Sequence, residues 1–315
     1  MRLLVTGGAG FIGSHLVDRL VADGHEVFVL DNFSTGKTKN LSAVTGCENF
    51  RVTRTDIRRI PGSLIRRLRR IDGVCHLAAL TDPQDSINNP ALTNDVNVAG
   101  TLTVLESARK LGAKRVVFAS SAAVYGMIDR FPVREDSSMA PISPYGASKA
   151  ASELYCRAFE ENYGIETVSL RYFNVYGPRQ ISGHYSGVIS TFAHRILRGE
   201  PLTIFGDGTQ SRDFVHVNDI VDATIRALKR TTQSRVFNIA SGTETTITKL
   251  AETMQELEGR RTGLNFLPKR LGDPYRGVAD ITKARRELGF HPRTSLRDGL
   301  SATLQWYRNQ QQATP

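Results

Sequence analysis

Residues 2–6, Arg-Leu-Leu-Val-Thr, are apolar and β-branched enough for a buried strand, and they run straight into Gly7-Gly-Ala-Gly10-Phe-Ile-Gly13. Ile12, Leu16, Leu20 and Val21 then recur at helical spacing, which predicts an amphipathic helix from about Phe11 to Asp23. A strand, a tight glycine turn and a helix in that order form a dinucleotide-binding unit. Gly7 permits the turn, Gly10 lets a pyrophosphate reach backbone N–H groups, and Gly13 lets helix and strand pack closely. The spacing here is Gly-x-x-Gly-x-x-Gly rather than the commoner Gly-x-Gly-x-x-Gly. A plain glycine turn between strand and helix is the competing account.

A second strand, 26–30, ends in Asp31. A carboxylate there accepts hydrogen bonds from a ribose diol and repels a 2′-phosphate, which argues for NAD over NADP. The same side chain can instead cap the loop Asn32-Phe-Ser-Thr-Gly-Lys37, and Lys37 with its Ser/Thr neighbours leaves room for NADP.

Downstream lies Tyr145-Gly-Ala-Ser-Lys149, preceded by Ser121. Residues four apart share a helix face, so the ammonium can lie near the phenol oxygen. A nearby cation lowers a phenol pKa that is otherwise about 10, which makes the oxygen a general base toward an alcohol. A lone Tyr-x-x-x-Lys arises by chance on many surface helices. Its place after a dinucleotide loop gives it weight.

With these residues in hand, the chain resembles the extended short-chain dehydrogenase/reductase superfamily, and within it the UDP-hexose 4-epimerases of the NAD-dependent epimerase/dehydratase family. The resemblance spans essentially the whole chain. It rests on Asp56-Ile57, His76-Leu-Ala-Ala79, Asn97-Val-Ala-Gly-Thr101, Ser120-Ser-Ala-Ala-Val-Tyr-Gly126, Ser143-Pro-Tyr-Gly-Ala-Ser-Lys149, Arg171-Tyr-Phe-Asn-Val-Tyr-Gly-Pro178, Phe205-Gly-Asp-Gly-Thr-Gln-Ser-Arg-Asp213 and Arg270-Leu-Gly-Asp273. It implies catalysis by Ser121, Tyr145 and Lys149. It implies NAD contacts from Gly7, Gly10, Phe11, Ile12, Gly13, Asp31, Asn32, Ser34, Thr35, Gly36, Asp56, Ile57, Leu77, Ala78, Ala79, Asn97, Tyr145 and Lys149. A UDP-sugar would meet Ser121, Tyr145, Asn174, Val188, Ile204, Phe205, Arg212, Arg270, Asp273 and Gly277. In that scheme Asn174 and Arg212 hold the diphosphate, and Arg270 and Asp273 lie near the nucleoside. A guanidinium suits bidentate phosphate binding. In so basic a chain each arginine can also be a solvated surface charge, an alternative as strong as phosphate binding for Arg270.

Related dehydratases and decarboxylases carry acidic residues directly after the serine or threonine; here those places hold Ala122 and Ala123. Methyl groups move no protons, so 4-epimerisation is expected. An NAD(P)-dependent nucleotide-sugar dehydrogenase or reductase stays open, since Ser121, Tyr145 and Lys149 suffice for hydride transfer; stoichiometric NADH release would mark it. A non-catalytic nucleotide- or RNA-binding protein is a further alternative, disfavoured because pure binding needs no poised base. In the related epimerases the residue four places past the aspartate of Arg-x-Gly-Asp limits space around the sugar C2. Here it is Gly277, which implies room for an N-acetyl group, so UDP-GlcNAc/UDP-GalNAc join UDP-Glc/UDP-Gal as expected substrates; Gly277 can equally serve a loop turn. The stretch Thr81-Asp-Pro-Gln84 departs from the pattern.

The 315 residues suffice for a large core, and 40% apolar with 23% charged residues is ordinary for a globular enzyme. No apolar run approaches the roughly 20 residues that span a bilayer, and the first strand begins at residue 2, so neither membrane insertion nor a secretory leader is expected. Three cysteines, Cys47, Cys75 and Cys156, have no metal-like spacing; no metal and a cytoplasmic setting are expected. The net charge of +10 owes much to Arg58-Arg59 and Arg66-Arg-Leu-Arg-Arg70. That run lacks interleaved aromatics and reads as the exposed face of a short helix after Pro61-Gly62, so no nucleic-acid partner is expected. A positive field also helps draw in an anionic nucleotide sugar.

Strands and helices alternate through the first half: helix 95–111, strand 115–120, a helix carrying Tyr145 to residue 163, and strand 166–171. This predicts an α/β fold, a Rossmann-type doubly wound parallel sheet, over residues 1–175. A smaller interleaved α/β substrate domain is expected over 176–315. It is read as helix 187–198, strand 202–205, helix 218–229, strand 236–239, helix 247–257 and a terminal helix 296–308. The resemblance implies a homodimer built from helices 95–111 and 148–163, although their apolar stripes can serve one subunit's core alone.

Overall fold

The computed structural model describes residues 1–180, 187–269 and 275–312. In the first half β1 (Arg2–Thr6), α1 (Phe11–Ala22), β2 (Glu26–Asp31), β3 (Phe50–Arg54), α2 (Gly62–Leu68) and β4 (Gly73–His76) follow one another. Then come α3 (Pro83–Asn88), α4 (Pro90–Asn94), α5 (Gly100–Lys110), β5 (Arg115–Ser121), α6 (Pro144–Tyr163) and β6 (Glu166–Tyr172). The remainder is β7 (Asn174–Tyr176), α7 (Val188–Arg198), β8 (Leu202–Phe205), β9 (Ser211–His216), α8 (Val217–Lys229), β10 (Val236–Ile239), β11 (Glu244–Thr246), α9 (Ile247–Glu258), β12 (Leu264–Leu267) and α10 (Leu296–Gln312).

Seven strands form the central sheet in the order β10-β6-β5-β4-β1-β2-β3, and every pairing is parallel. Alternation along β1 explains the layers. Leu3 and Val5 face the core shared with Leu16, Val17 and Leu20 of α1 and Ile220 of α8. Leu4 points the other way, toward Val104 and Leu105 of α5 and Phe159 of α6. The Rossmann-type expectation is met. Strand β10, from the second half of the chain, closes the sheet edge against β6, with Val236 opposite Ser169.

Smaller sheets carry the rest: β7 and β9 run parallel, β11 joins β9 antiparallel, and β8 pairs with β12. Their core gathers Phe192 and Ile196 of α7, Leu250 and Met254 of α9, and Leu300 and Leu304 of α10. The expected helix over 95–111 proves to be composite. A π-helical turn, Asp95–Ala99, joins α4 to α5, and a wide turn of that kind leaves no mark on the 3.6-residue pattern. Of the basic run, Arg66 and Arg67 sit as expected on α2, exposed while Leu64 and Leu68 are buried, whereas Arg69 and Arg70 lie beyond its end. Arg58 departs from that picture, because it is bound to Asp56 at 2.8 Å and Asp95 at 2.7 Å.

Candidate active site

The sheet order reverses between β1 and β4, and the glycine loop crosses that point. Gly7 has φ +70°, and a β-carbon on it would come within 2.7 Å of the Ala78 nitrogen. On Gly13 a β-carbon would stand 2.1 Å from the Gly7 carbonyl oxygen, so helix and strand approach as only glycine allows. Gly10 is the N-cap of α1 and offers no side-chain cap. The first N–H groups of the helix, on Phe11 and Ile12, are therefore left for an anion.

Asp31 is buried, and its two oxygens accept from Ala9 N at 2.9 Å and Phe33 N at 2.8 Å. It thus caps its loop and braces the glycine turn, with lone pairs to spare for a diol. Gly36 packs under Ala9, and Asn32 with Ser34 and Thr35 forms an exposed rim. Asn32 reaches toward Asp56 at 3.5 Å. Arg58, donating through side chain and backbone, holds the Asp56 carboxyl down at about 2. Ile57 is buried beside it. Leu77 N bonds to Thr6 O at 3.1 Å, which brings Leu77, Ala78 and Ala79 against the glycine loop. These residues fit a dinucleotide laid across the strand ends.

Asn97 acts differently from a simple cofactor contact. Its amide accepts from Leu80 N at 2.8 Å and donates to Leu80 O and Ser148 Oγ at 2.9 Å each. Both donor hydrogens are spent tying the loop after β4 to α6. Below it, buried His76 bridges Thr6 at 2.6 Å and Thr101 at 2.9 Å, and burial pushes its pKa down to about 3.

Ser121 is the last residue of β5, and its hydroxyl accepts from Ala123 N at 3.1 Å. Helix α6 opens with Ser143 as cap and Pro144 at the first turn. Gly146 lets it close on the turn after Ser121, since a β-carbon there would meet the Ala123 carbonyl at 2.5 Å. Tyr145 and Lys149 are both buried. The expected lowering of the Tyr145 pKa by Lys149 is corrected here. Burial raises it, and the Ser121 hydroxyl beside it pulls the other way. Lys149 directs its ammonium to the Ala119 carbonyl at 2.8 Å, over the Phe118 ring. Burial brings its own pKa down to about 8 against the pull of Cys156 and Glu153.

Register carries the site into the second half of the chain: Ser121 pairs with Tyr172, two residues before Asn174. Asn174, Val188, Ile204, Phe205 and Arg212 line one cavity of about 340 Å³. Those five residues, drawn from four elements, were expected from the sequence. Gln180 and Gln210 also line it and were not foreseen. The Gly206-Asp-Gly208 stretch is the tight turn expected, with φ +85° and +80°. Gly277 lies beside Arg212; a β-carbon on it would be 4.0 Å from Arg212 Cδ. Arg270 and Asp273 fall outside the described residues. Asp213 was missed as an anchor. It is fully buried and accepts from Ser241 N, Ser241 Oγ, Gly242 N and Ala279 N at 2.6–3.2 Å. The sequence marked it only as the last residue of the stretch 205–213, with no role attached. Among the described residues no helix is long and apolar enough to cross a membrane, and no cluster of three metal-ligating side chains occurs.

A doubly wound parallel sheet with a glycine loop at its switch point and a Ser/Tyr/Lys set one strand away defines a short-chain dehydrogenase/reductase fold. Residues 3–240 match the NAD dependent epimerase/dehydratase family. The chain belongs to that family, and its cofactor is NAD. It is 39% identical to a UDP-glucose 4-epimerase of Mycolicibacterium smegmatis over 99% of this chain and 100% of that one. The UDP-glucuronic acid decarboxylase 1 of Danio rerio is 37% identical, over 97% of this chain and 72% of its own. The solved UDP-glucose 4-epimerase of Thermotoga maritima with UDP-glucose superposes with a TM-score of 0.92 at 39% identity, covering 99% and 100% of the two chains.

Proposed function

We propose that the protein is a UDP-hexose 4-epimerase. The observation that carries this reading is the pairing of Ser121 with Tyr145 at the end of β5, followed by Ala122 and Ala123 rather than by acids. Elimination of water and loss of carbon dioxide each call for a further proton carrier, and methyl groups provide none. That sets the chain apart from its decarboxylase relatives despite the similar identity.

In this reading Tyr145, as phenolate, takes the proton from the sugar O4, and Ser121 holds the same oxygen in line. When bound, NAD would supply the redox chemistry, as hydride acceptor and then donor for C4. Lys149, at the base of the site with its ammonium steadied by the Ala119 carbonyl, would face the nicotinamide ribose. Asn174 and Arg212 grip the diphosphate while the 4-keto sugar turns and presents its other face. Tyr145 then gives its proton back. Positioning and electrostatics are the protein's share. The open side at Gly277 favours acceptance of UDP-GlcNAc beside UDP-Glc. Leu154, Tyr155 and Tyr163 of α6 are exposed, which suits a second copy docking on that helix; a monomeric mass in light scattering at micromolar concentration would refute the homodimer.

The test is direct. Purified protein is checked for co-purified NAD and assayed for C4 inversion of UDP-Glc, UDP-GlcNAc and UDP-glucuronate. Inversion by the wild type with loss in Tyr145→Phe is expected. Net NADH release without inversion would instead identify a dehydrogenase.

A further inference from the structure

We infer that Ser86 is a positioning residue for Tyr145, a role that rests on Tyr145 being the proton-transferring group. A helix leaves its first four N–H groups without intrahelical partners. At the start of α6, Pro144 has none to offer, and the Gly146 N–H is taken by its own cap, Ser143 Oγ, at 3.1 Å. The N–H left between them belongs to Tyr145. It is answered from another element: Ser86 Oγ, on α3, accepts it at 3.1 Å.

The geometry leaves Ser86 little freedom. It is 2% exposed, and its own proton goes to the Pro83 carbonyl at 2.6 Å, so a lone pair is turned toward Tyr145. On the other side, the Tyr145 carbonyl accepts from Ser148 Oγ at 2.7 Å, and Ser148 Oγ in turn accepts from Asn97. Both backbone polar groups of the tyrosine are thus held by serine hydroxyls. Through Ser86 and Asn97 that grip extends to the loop that follows β4, one side of which packs on the glycine turn. Helix α3 is itself fixed at its start by Asp82, which accepts from Asp85 N at 2.9 Å. The stretch Thr81-Asp-Pro-Gln84, which departs from the family pattern, is the start of that support. Ser86 touches no substrate in this account; it sets where the phenol stands.

The experiment compares Ser86→Ala with Ser143→Ala in the NAD-loaded enzyme. Each variant removes a cap from the same helix, and Ser86 alone contacts Tyr145. Ser86→Ala is expected to lower kcat about tenfold, with KM within about twofold and faster amide exchange at Tyr145. Ser143→Ala is expected to lose comparable thermal stability and retain kcat. A wild-type kcat in Ser86→Ala overturns the role, as does a loss shared by both variants in proportion to Tm. Should Ser86→Ala not fold, amide exchange in the wild type decides, since an unprotected Tyr145 N–H refutes the contact. Rates are read as reduction of bound nicotinamide as well as C4 inversion. A wild type that oxidises the sugar without inverting it therefore sinks the epimerase reading and still measures Ser86.

Discussion

Arg171 holds Glu153 at both carboxylate oxygens, Nε to Oε1 at 2.9 Å and a terminal nitrogen to Oε2 at 2.7 Å, with each side chain 5% exposed. Glu153 lies one helical turn beyond Lys149 on α6, and Ser120 of β5 also donates to it. Arg171 stacks on Tyr125 at 4.7 Å, and the Tyr125 hydroxyl donates to Asn238 of β10 at 2.6 Å. The helix carrying Tyr145 is thereby tied to three strands of the sheet. Taking one member away strands a buried charge. Arg171→Met is expected to cost about 3–5 kcal/mol. Adding Glu153→Gln should recover much of that loss, because the residual amide needs no counter-charge. Urea-unfolding midpoints of the two single variants and the double variant measure it.

The pH dependence of turnover follows from Tyr145. Its pKa is raised by burial, so the phenolate fraction, and with it the rate of oxidation, grows as pH rises through neutrality into the alkaline range. The Ser121 hydroxyl opposes that shift. Removing it in Ser121→Ala should move the acid limb of the kcat profile to higher pH, besides lowering the rate by about 10²-fold. An unchanged limb would mean that Ser121 orients the sugar and leaves the phenol alone.

Much of the site could be read in the sequence because its parts are local. The glycine loop, Ser121 and Tyr145/Lys149 each lie within a single strand–turn or helix unit, where spacing dictates geometry. The five cavity residues came from resemblance, since nothing in the spacing of Asn174, Val188 and Arg212 brings them together. The contacts missed are those between distant segments: Ser86 with Tyr145, Asp213 with Ser241 and Ala279, and Glu153 with Arg171. Lys149 shows the other limit. Helical spacing placed Lys149 one turn from Tyr145 but could not foresee that its ammonium turns to the Ala119 carbonyl, or that burial raises the phenol's pKa.

Acid sensitivity should trace to His76. The unfolded imidazole titrates near 6.5 and the folded one near about 3, because burial excludes the charged form. Between those values the unfolded chain binds a proton that the folded one does not, so stability falls as pH falls, by up to ~1.4 kcal/mol per pH unit. His216, lowered to about 4 by burial, adds a smaller loss of the same sign. Both contributions are fully present above pH 6.5. The urea midpoint of the wild type should therefore drop more steeply from neutral pH toward acid than that of His76→Gln, even if the variant starts lower for want of its bonds to Thr6 and Thr101.

Gly277 offers a test of sugar choice that backbone strain does not confound. Gly7 must be glycine because its φ is positive and Ala78 crowds it. At Gly277 neither holds, since φ is not positive and an added β-carbon would meet Ser211 O at 3.8 Å and Arg212 Cδ at 4.0 Å, ordinary contact distances. A side chain can therefore be borne there, at the expense of the space beside Arg212, the arginine proposed to hold the diphosphate. Gly277→Tyr is expected to lower kcat/KM for UDP-GlcNAc by about 10–200-fold, the range a pocket gains or loses with small changes in fit. UDP-Glc, lacking the acetamido group, should stay within about threefold. Equal losses for both sugars would show that position 277 bears on the grip of Arg212 rather than on C2, because the diphosphate is common to the two substrates.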